Sequence, residues 1–539
     1  MDSESRLGLD ELNGNSETIS INNSARGEES VAFNPSLSPQ THHSSPDHCD
    51  KHYHSKPIFA KEIYRASDLL MSVSVCAEVN KPRINDLAAA AVEELTQMAI
   101  AREPLWLQDI DTGSWVLNDV EYKKRFGPLD ATLQEIIRMV KTEEPIQLPN
   151  LSPSNSSMGF KSKPLQTEAS RESARVFMNP VNLAKMFMDV DQWSTMFSNI
   201  VSKATVLGVQ STGQPGNPNG ALQVMTVEYH LPSPLSRCRE SYFVRHCKQL
   251  ASQSWIVVDA SLGSIFPMPL IKCERRSSGC LIQEMEDGYS MVTWVENLEV
   301  DNRSVKELFR PIVSSGFAFG AKRWLATLAW QCERHATMMD ESVKDLKEGR
   351  KSLLKLAGRM MRDYYASVSA SPENPWRPLP ITGAEDVMIM ACENLDDPGS
   401  PRGVAITTAT TIWLPVSPEK VFIFLQDGNA RNQWDILSKG RATREMVRIG
   451  TGRDLGNCVS IVVVDVSRSF SLFNLFWFIF IFVLYIPEIL HKIYFVSFVA
   501  CTKQCKDSLC TRELHQFNRL LRSLCTYRHS RHENDLRRW

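Results

Sequence analysis

Charge of one sign is what this 539-residue sequence most conspicuously lacks: its formal charge is -2 and its pI near 6.7. That balance excludes a protein that holds nucleic acid chiefly by neutralising phosphates over its whole surface. An apolar signal core is missing as well, since the N-terminus MDSESRLGLDELNGNSETIS is acidic and polar, and secretion is therefore not expected. The thirteen cysteines are scattered and odd in number, which argues against a disulfide framework and for a reduced, intracellular setting. No nucleophile elbow, paired-carboxylate signature or metal-ligand spacing organises His230, Cys238, His246, Cys247 and Asp259. The chain is accordingly expected to be neither an enzyme nor a holder of a metal cofactor.

What is present divides the chain. Residues 1–56 are rich in Ser, Asn, Pro and His and read as a disordered polar tail, in which His42, His43, His48, Cys49, His52 and His54 lack paired ligand spacing. A short helical lead-in over 57–80 precedes an amphipathic helix marked by Ile84, Leu87, Ala88, Ala91, Val92, Leu95, Met98 and Ala99, ending before Pro104. A Pro- and Ser-rich stretch over 143–166 reads as a mobile surface insertion. After a helix around Pro180 to Phe187, strands are predicted over Lys203–Gln210, Ala221–His230, Ser241–Gln249, Ser254–Ser261, Cys280–Glu286 and Tyr289–Val300. Turn sequences such as Asp287-Gly288 separate them, so a curved antiparallel sheet follows. Helical spacing then runs from Ser304 to Glu333 through Val305, Leu308, Phe309, Ile312, Val313, Phe317, Ala321, Trp324, Leu325, Leu328 and Cys332. This predicts one long helix closing over the sheet, with Pro311, Gly316 and Gly320 as points of flexure.

INDLAAAAVEELTQMAIAREPLWL, DNRSVKELFRPIVSSGFAFGAKRWLATLAWQCER and GRKSLLKLAGRMMRDYYASVSAS carry a specific resemblance. Over about Lys81 to Val464 the chain resembles the START domain and following segment of plant class IV homeodomain-leucine zipper proteins. The resemblance implies an α+β helix-grip fold, a curved antiparallel sheet around a long C-terminal helix enclosing a hydrophobic tunnel for a lipid or sterol. It also implies a nuclear, transcription-related setting, with a cytoplasmic or membrane location as the alternative. The stretch before Lys81 has no WFQNRR-like recognition helix, Lys/Arg-rich run or sustained heptads, so direct DNA binding is not expected. Expected partners are the lipid or sterol, further regulatory proteins or a second copy of the chain.

On that reading the START unit spans 81–345 and a START-adjacent, incomplete START-like α+β domain spans 346–466. The second unit echoes the first: NPVNLAKMFMDVDQWSTMF near Pro180 is matched by SPEKVFIFLQDGNARNQWDIL near Pro418, each followed by a strand-like segment. Beyond Val466 the echo is lost. Residues 469–487, SFSLFNLFWFIFIFVLYIP, carry no charge, and a basic tail follows. Three readings of 467–539 stand: a membrane anchor, a buried strand pair, or translated noncoding sequence, the last being preferred.

A lipid site needs apolar walls and a few polar groups. The candidates are Met225 and Val227 on one strand, Arg245 for a head group or a buried carboxylate such as Glu228, and Trp255, Trp294, Phe309, Val313 and Phe317 as wall or lid. The register of the 221–230 strand is open, since Val224, Thr226 and Glu228 form its other face. A pure interaction module with a vestigial cavity is the alternative function.

Overall fold

The computed structural model describes residues 65–110, 113–127, 165–266, 273–339, 347–380, 387–394, 403–411, 414, 416–435, 440–454, 456–464, 478–483 and 496–501. The polar tail, the insertion over 143–166 and all but two strands of 467–539 lie outside them.

Two helices lead in, α1 (Ala66–Cys76) and α2 (Lys81–Ile100). Helix α2 carries Pro82 in its first turn, where no intrahelical partner is lost, and buries Ile84, Ala88, Ala91, Val92, Leu95, Met98 and Ala99 along one stripe. Its end is fixed by the Trp106 indole, which donates to the Met98 carbonyl at 2.8 Å. Strands β1 (Trp106–Gln108) and β2 (Trp115–Leu117) and helix α3 (Asp119–Phe126) follow. Next come β3 (Gln166–Val176), α4 (Pro180–Met188), α5 (Val190–Met196), β4 (Val201–Gln214), β5 (Asn217–Tyr229), β6 (Arg239–Ala251) and β7 (Ser254–Ser261). Three more strands, β8 (Cys273–Arg275), β9 (Ser278–Glu284) and β10 (Ser290–Val300), complete a ten-stranded antiparallel sheet. Its order is β1-β2-β3-β10-β9-β7-β6-β5-β4, with β8 paired to β10.

The sheet is covered on both faces. Val224, Tyr242, Val244, Ile256, Val258 and Leu281 pack under α1 and α2, whereas Met225, Val227, Phe243, Trp255, Val257 and Ile282 face the opposite core. This explains the unbroken burial of β5 and β7, where a strand with one wet face would alternate. It also fixes the register left open by the sequence: Met225 and Val227 point inward, and Val224 points out.

Strand β3 was not anticipated. Its sequence, QTEASRESARV, is polar and mostly small, without the β-branched or aromatic content that marks a strand. Its partner specifies it instead: all eleven of its residues pair with β10, and the Ser173 hydroxyl meets Thr293 Oγ1 at 2.9 Å.

The expected single closing helix is broken. The chain runs through short turns at Asn302–Ser304 and Glu307–Phe309, then α6 (Arg310–Ser314), a loop over 315–320, and finally α7 (Ala321–Met339). Pro311 opens α6 rather than kinking a longer helix, and Gly316 ends it at φ +76°, a left-handed conformation that suits glycine. At Gly320 the backbone passes so close that an added Cβ would lie 2.5 Å from the Gly316 carbonyl oxygen and 2.9 Å from Ser170 Oγ. The glycines therefore terminate and restart the element.

Beyond it lie α8 (Lys347–Val368), β11 (Arg377–Pro378), β12 (Val387–Asn394) and β13 (Gly403–Thr410), the last three forming a small sheet. Helices α9 (Pro418–Gln426) and α10 (Arg431–Trp434) precede the hairpin of β14 (Thr443–Gly450) and β15 (Cys458–Val464). The internal echo is thus structural: helix, short helix ending near a buried Trp, then a two-stranded antiparallel pair. Asn179 and Ser417 cap the equivalent helices by accepting from the amides of Asn182 and Lys420, with Pro180 and Pro418 just behind them. Within the apolar segment, β16 (Phe478–Val483) pairs antiparallel with β17 (Val496–Cys501). Its described part is therefore extended and paired. Among the described residues no helix is long and apolar enough to cross a membrane.

Candidate functional site

Strand alternation and the α6–α7 break bring one set of side chains together between sheet and closing helix. Met225, Val227, Trp255, Trp294, Phe309 and Val313 all lie in this core, joined by Phe243, Trp324, Leu325 and Leu328. Phe317 is buried in the loop over 315–320 but does not join that cluster; the Lys322 ammonium lies 5.7 Å from its ring centroid.

Aromatic rings organise the interior. Trp324, at the centre, stacks on Trp294 with centroids 5.2 Å apart and an interplanar angle of 10°, and on Trp193 at 6.0 Å. Phe197 meets the Trp324 ring edge-on at 4.8 Å, and Phe187 packs on Trp294 at 5.7 Å. Such pairs contribute roughly 0.5–1.5 kcal/mol each beyond their buried area.

Against these rings runs a ladder of buried charges. Arg245 donates through Nε and Nη2 to Asp259 at 2.7 and 2.8 Å and through Nη1 to the Phe187 carbonyl at 3.0 Å, its guanidinium 4.1 Å from the Trp193 ring centroid. Arg275 donates to both Glu296 oxygens at 2.9 and 3.0 Å and to the Tyr229 hydroxyl at 2.8 Å, and the Trp294 indole donates to Glu296 at 2.8 Å. Burial works against the Arg275 charge, but Glu296, Tyr229 and Asp259 outweigh it and raise its pKa. Arg275 Nε sits 3.9 Å from Asp259, linking the two pairs, yet makes no hydrogen bond. Two cations and two anions thus cancel in the interior, where removing one partner leaves a stranded charge costing about 3–5 kcal/mol.

The carboxylate partner of Arg245 is Asp259, its cross-strand neighbour, and not Glu228. Glu228 faces the other side of β5, where Arg65 donates to it at 3.2 Å and Ser202 at 2.6 Å. The sequence reading singled out neither Arg275, Glu296 and Tyr229 nor the central Trp324 as lining residues. The available signal was a charge inside an apolar run, as in WIVVDAS and MVTWVENLEV.

The groups considered for catalysis are dispersed. Asp259 is committed to Arg245, His230 shares a hydrogen bond with the Ser198 carbonyl at 2.9 Å, and His246 one with the Ala221 carbonyl at 3.0 Å. Burial pushes the Cys238 and Cys247 thiols up to about 12, far from the thiolate a nucleophile needs. Among the described residues no group of three or more His, Cys, Asp and Glu is placed to hold a metal ion; the His42–His54 cluster lies outside them.

Family comparison matches residues 86–334 to the START domain and residues 346–473 to the PDF2-like, C-terminal domain. The chain is 39% identical over 398 residues to homeobox-leucine zipper protein HDG1 of Arabidopsis thaliana, covering 72% of this chain and 46% of that protein. It is 37% identical over 410 residues to GLABRA 2 of the same plant (74% and 51%) and 36% identical over 427 residues to ROC4 of Oryza sativa subsp. japonica (74% and 49%). The chain therefore spans about half the length of the curated relatives it matches. Similar solved structures include human StAR-related lipid transfer protein 5, with a TM-score of 0.31 and 11% identity over 48% of this chain and 99% of that one. Human STARD10 follows with a TM-score of 0.25 and 13% identity over 42% and 89%.

Proposed function

We propose, from the premise that this chain belongs to the class IV homeodomain-leucine zipper family by its START and PDF2-like C-terminal domains, that it binds one lipid or sterol non-covalently between the sheet and α7 as a regulatory module of a transcription-related protein. The observation that carries this reading is the interior itself: apolar and aromatic walls beside a charge ladder that neutralises itself. Such a wall accepts an uncharged hydrocarbon body without demanding a counter-ion, while Arg275 Nε and the Tyr229 hydroxyl offer a polar end point. Met225, Val227, Arg245, Trp255, Trp294, Phe309 and Val313 are proposed as lining, with the loop carrying Phe317 as the entry. Binding, not catalysis, is the proposed activity, and a nuclear site of action is inferred from the relatives.

A second reading is favoured by one observation, the close packing of Trp193, Phe197, Trp294 and Trp324 across the interior. A ligand has to part or displace some of these rings, and a permanently filled interior would leave a protein-interaction module. Native mass spectrometry of the full chain purified from plant cells distinguishes the two. One lipid per chain is expected, released on denaturation. Repeated recovery of folded, empty protein after incubation with plant lipid extract would overturn the proposal and leave the interaction module.

A further inference from the structure

Helix α8 touches α7 through side chains and packs also against β13 and β17. Trp330 packs on the Met361, Tyr364, Tyr365 and Val368 cluster, and Arg334 donates to the Leu354 carbonyl at 2.8 Å. Beside this contact, one flank of α8 presents Lys351, Lys355, Arg359 and Arg362, all exposed. At 100° per residue these four fall within about an 80° sector, and at 1.5 Å per residue they span about 16 Å. None of them has a hydrogen-bond or ion-pair partner among the described residues. Cations dominate behind them as well: Arg323 and Arg334 of α7 face α8, and burial, with Arg362 nearby, lowers the Arg334 pKa. The neutral sum of the whole chain therefore hides a one-sided local field.

We propose that this exposed cationic flank of α8 docks on an anionic lipid bilayer. Headgroup charges fit a narrow band of exposed cations, whose attraction to an acidic leaflet amounts to about five-fold in partition per Lys or Arg. Because Leu354, Met361, Tyr364, Tyr365 and Val368 of α8 are buried, the contact is peripheral and electrostatic rather than insertive. Among the described residues no exposed aromatic side chain of α8 flanks the band to stack on bases, and Leu356, 39% exposed, lies near its edge, which favours a bilayer over a nucleic acid. Docking places the closing helix one layer from the membrane; only this consequence, ligand loading at the bilayer, rests on the proposed lipid function.

The test is flotation of the full chain with vesicles of phosphatidylcholine alone and with about one third phosphatidylserine. Binding is expected only with phosphatidylserine and should fall steeply with salt. Lys351→Glu, Lys355→Glu, Arg359→Glu and Arg362→Glu together should lower it by more than about a hundred-fold with unchanged circular dichroism. The four matching Gln substitutions give a smaller loss and keep the test readable if the acidic set disturbs the helix. Undiminished binding of either set, equal binding to phosphatidylcholine alone, or retention of the parent on duplex DNA but on no vesicle overturns the proposal. Native mass spectrometry on the same variants reads ligand occupancy separately, so failure of docking and failure of the tunnel reading are distinguishable.

Discussion

His230 shows how a buried polar residue carries a price that depends on pH. It is 0% exposed just past the end of β5, its Nε2 shares a hydrogen bond with the Ser198 carbonyl, and its Nδ1 has no partner among the described residues. Burial, assisted by the Arg323 cation and opposed by the Ser198 carbonyl, pushes the imidazole down to about 4. The native ring is thus neutral where the unfolded ring, with an ordinary pKa of about 6.5, takes up a proton. Stability is fully present above pH 6.5 and is lost as pH falls toward 4, by about 3 kcal/mol in all. His230→Gln removes the titration, so its urea midpoint should change less than the parent's between pH 6.5 and 4.5. Parallel pH profiles for the two proteins would exclude this role. Arg323 repeats the theme in a cation: it donates to the Ala318 and Asn199 carbonyls, has no carboxylate partner among the described residues, and burial pushes it down to about 10.

The segment between β10 and α7 owes its shape to two glycines that differ in kind. Gly316 sits at φ +76° with open space around it, so Gly316→Ala meets only the backbone cost, about 1–2 kcal/mol. Gly320 has no unusual dihedral but no room either, and Gly320→Ala should cost more, because the Gly316 carbonyl and Ser170 must move. Denaturant unfolding of both variants checks the order; equal losses would mean that the loop relaxes freely around Gly320. The sequence pattern placed these residues correctly as interruptions, yet it read through them as one helix, since periodicity sees side chains and not the dihedral that Gly316 adopts. The main strands were legible for the opposite reason: β4 to β7 and β10 are rich in Val, Ile, Thr and aromatics and β9 carries the apolar run Cys280–Ile282, whereas β3 is held by its neighbour and β1, β2 and β8 are three residues each. Of the candidate site, the burial of the apolar residues and of Arg245 was legible in the sequence, and the pairing of the charges was not. Pairings such as Arg275 with Glu296 depend on a strand order, β8 beside β10, that local pattern does not encode.

The two halves of the chain meet through α7 and α8, reinforced by smaller polar contacts. Ser233 and Thr411 hydroxyls lie 2.7 Å apart and buried, Cys238 lies 3.6 Å from Ser369, and Arg453 reaches the Tyr289 hydroxyl. At Gly358 an added Cβ would fall 2.1 Å from an Arg334 nitrogen that reaches past it to the Leu354 carbonyl. Gly358→Leu therefore separates two effects of opposite sign. Intrinsic helix propensity rises by about 0.8 kcal/mol, which alone would protect α8. Displacement of Arg334 breaks the contact that ties α8 to the closing helix. If that contact couples the halves, amide exchange over 347–368 should accelerate while the protection of β5 to β7 is unchanged. A slowing over 347–368 would mean that helix propensity prevails and that α8 holds its place without Arg334.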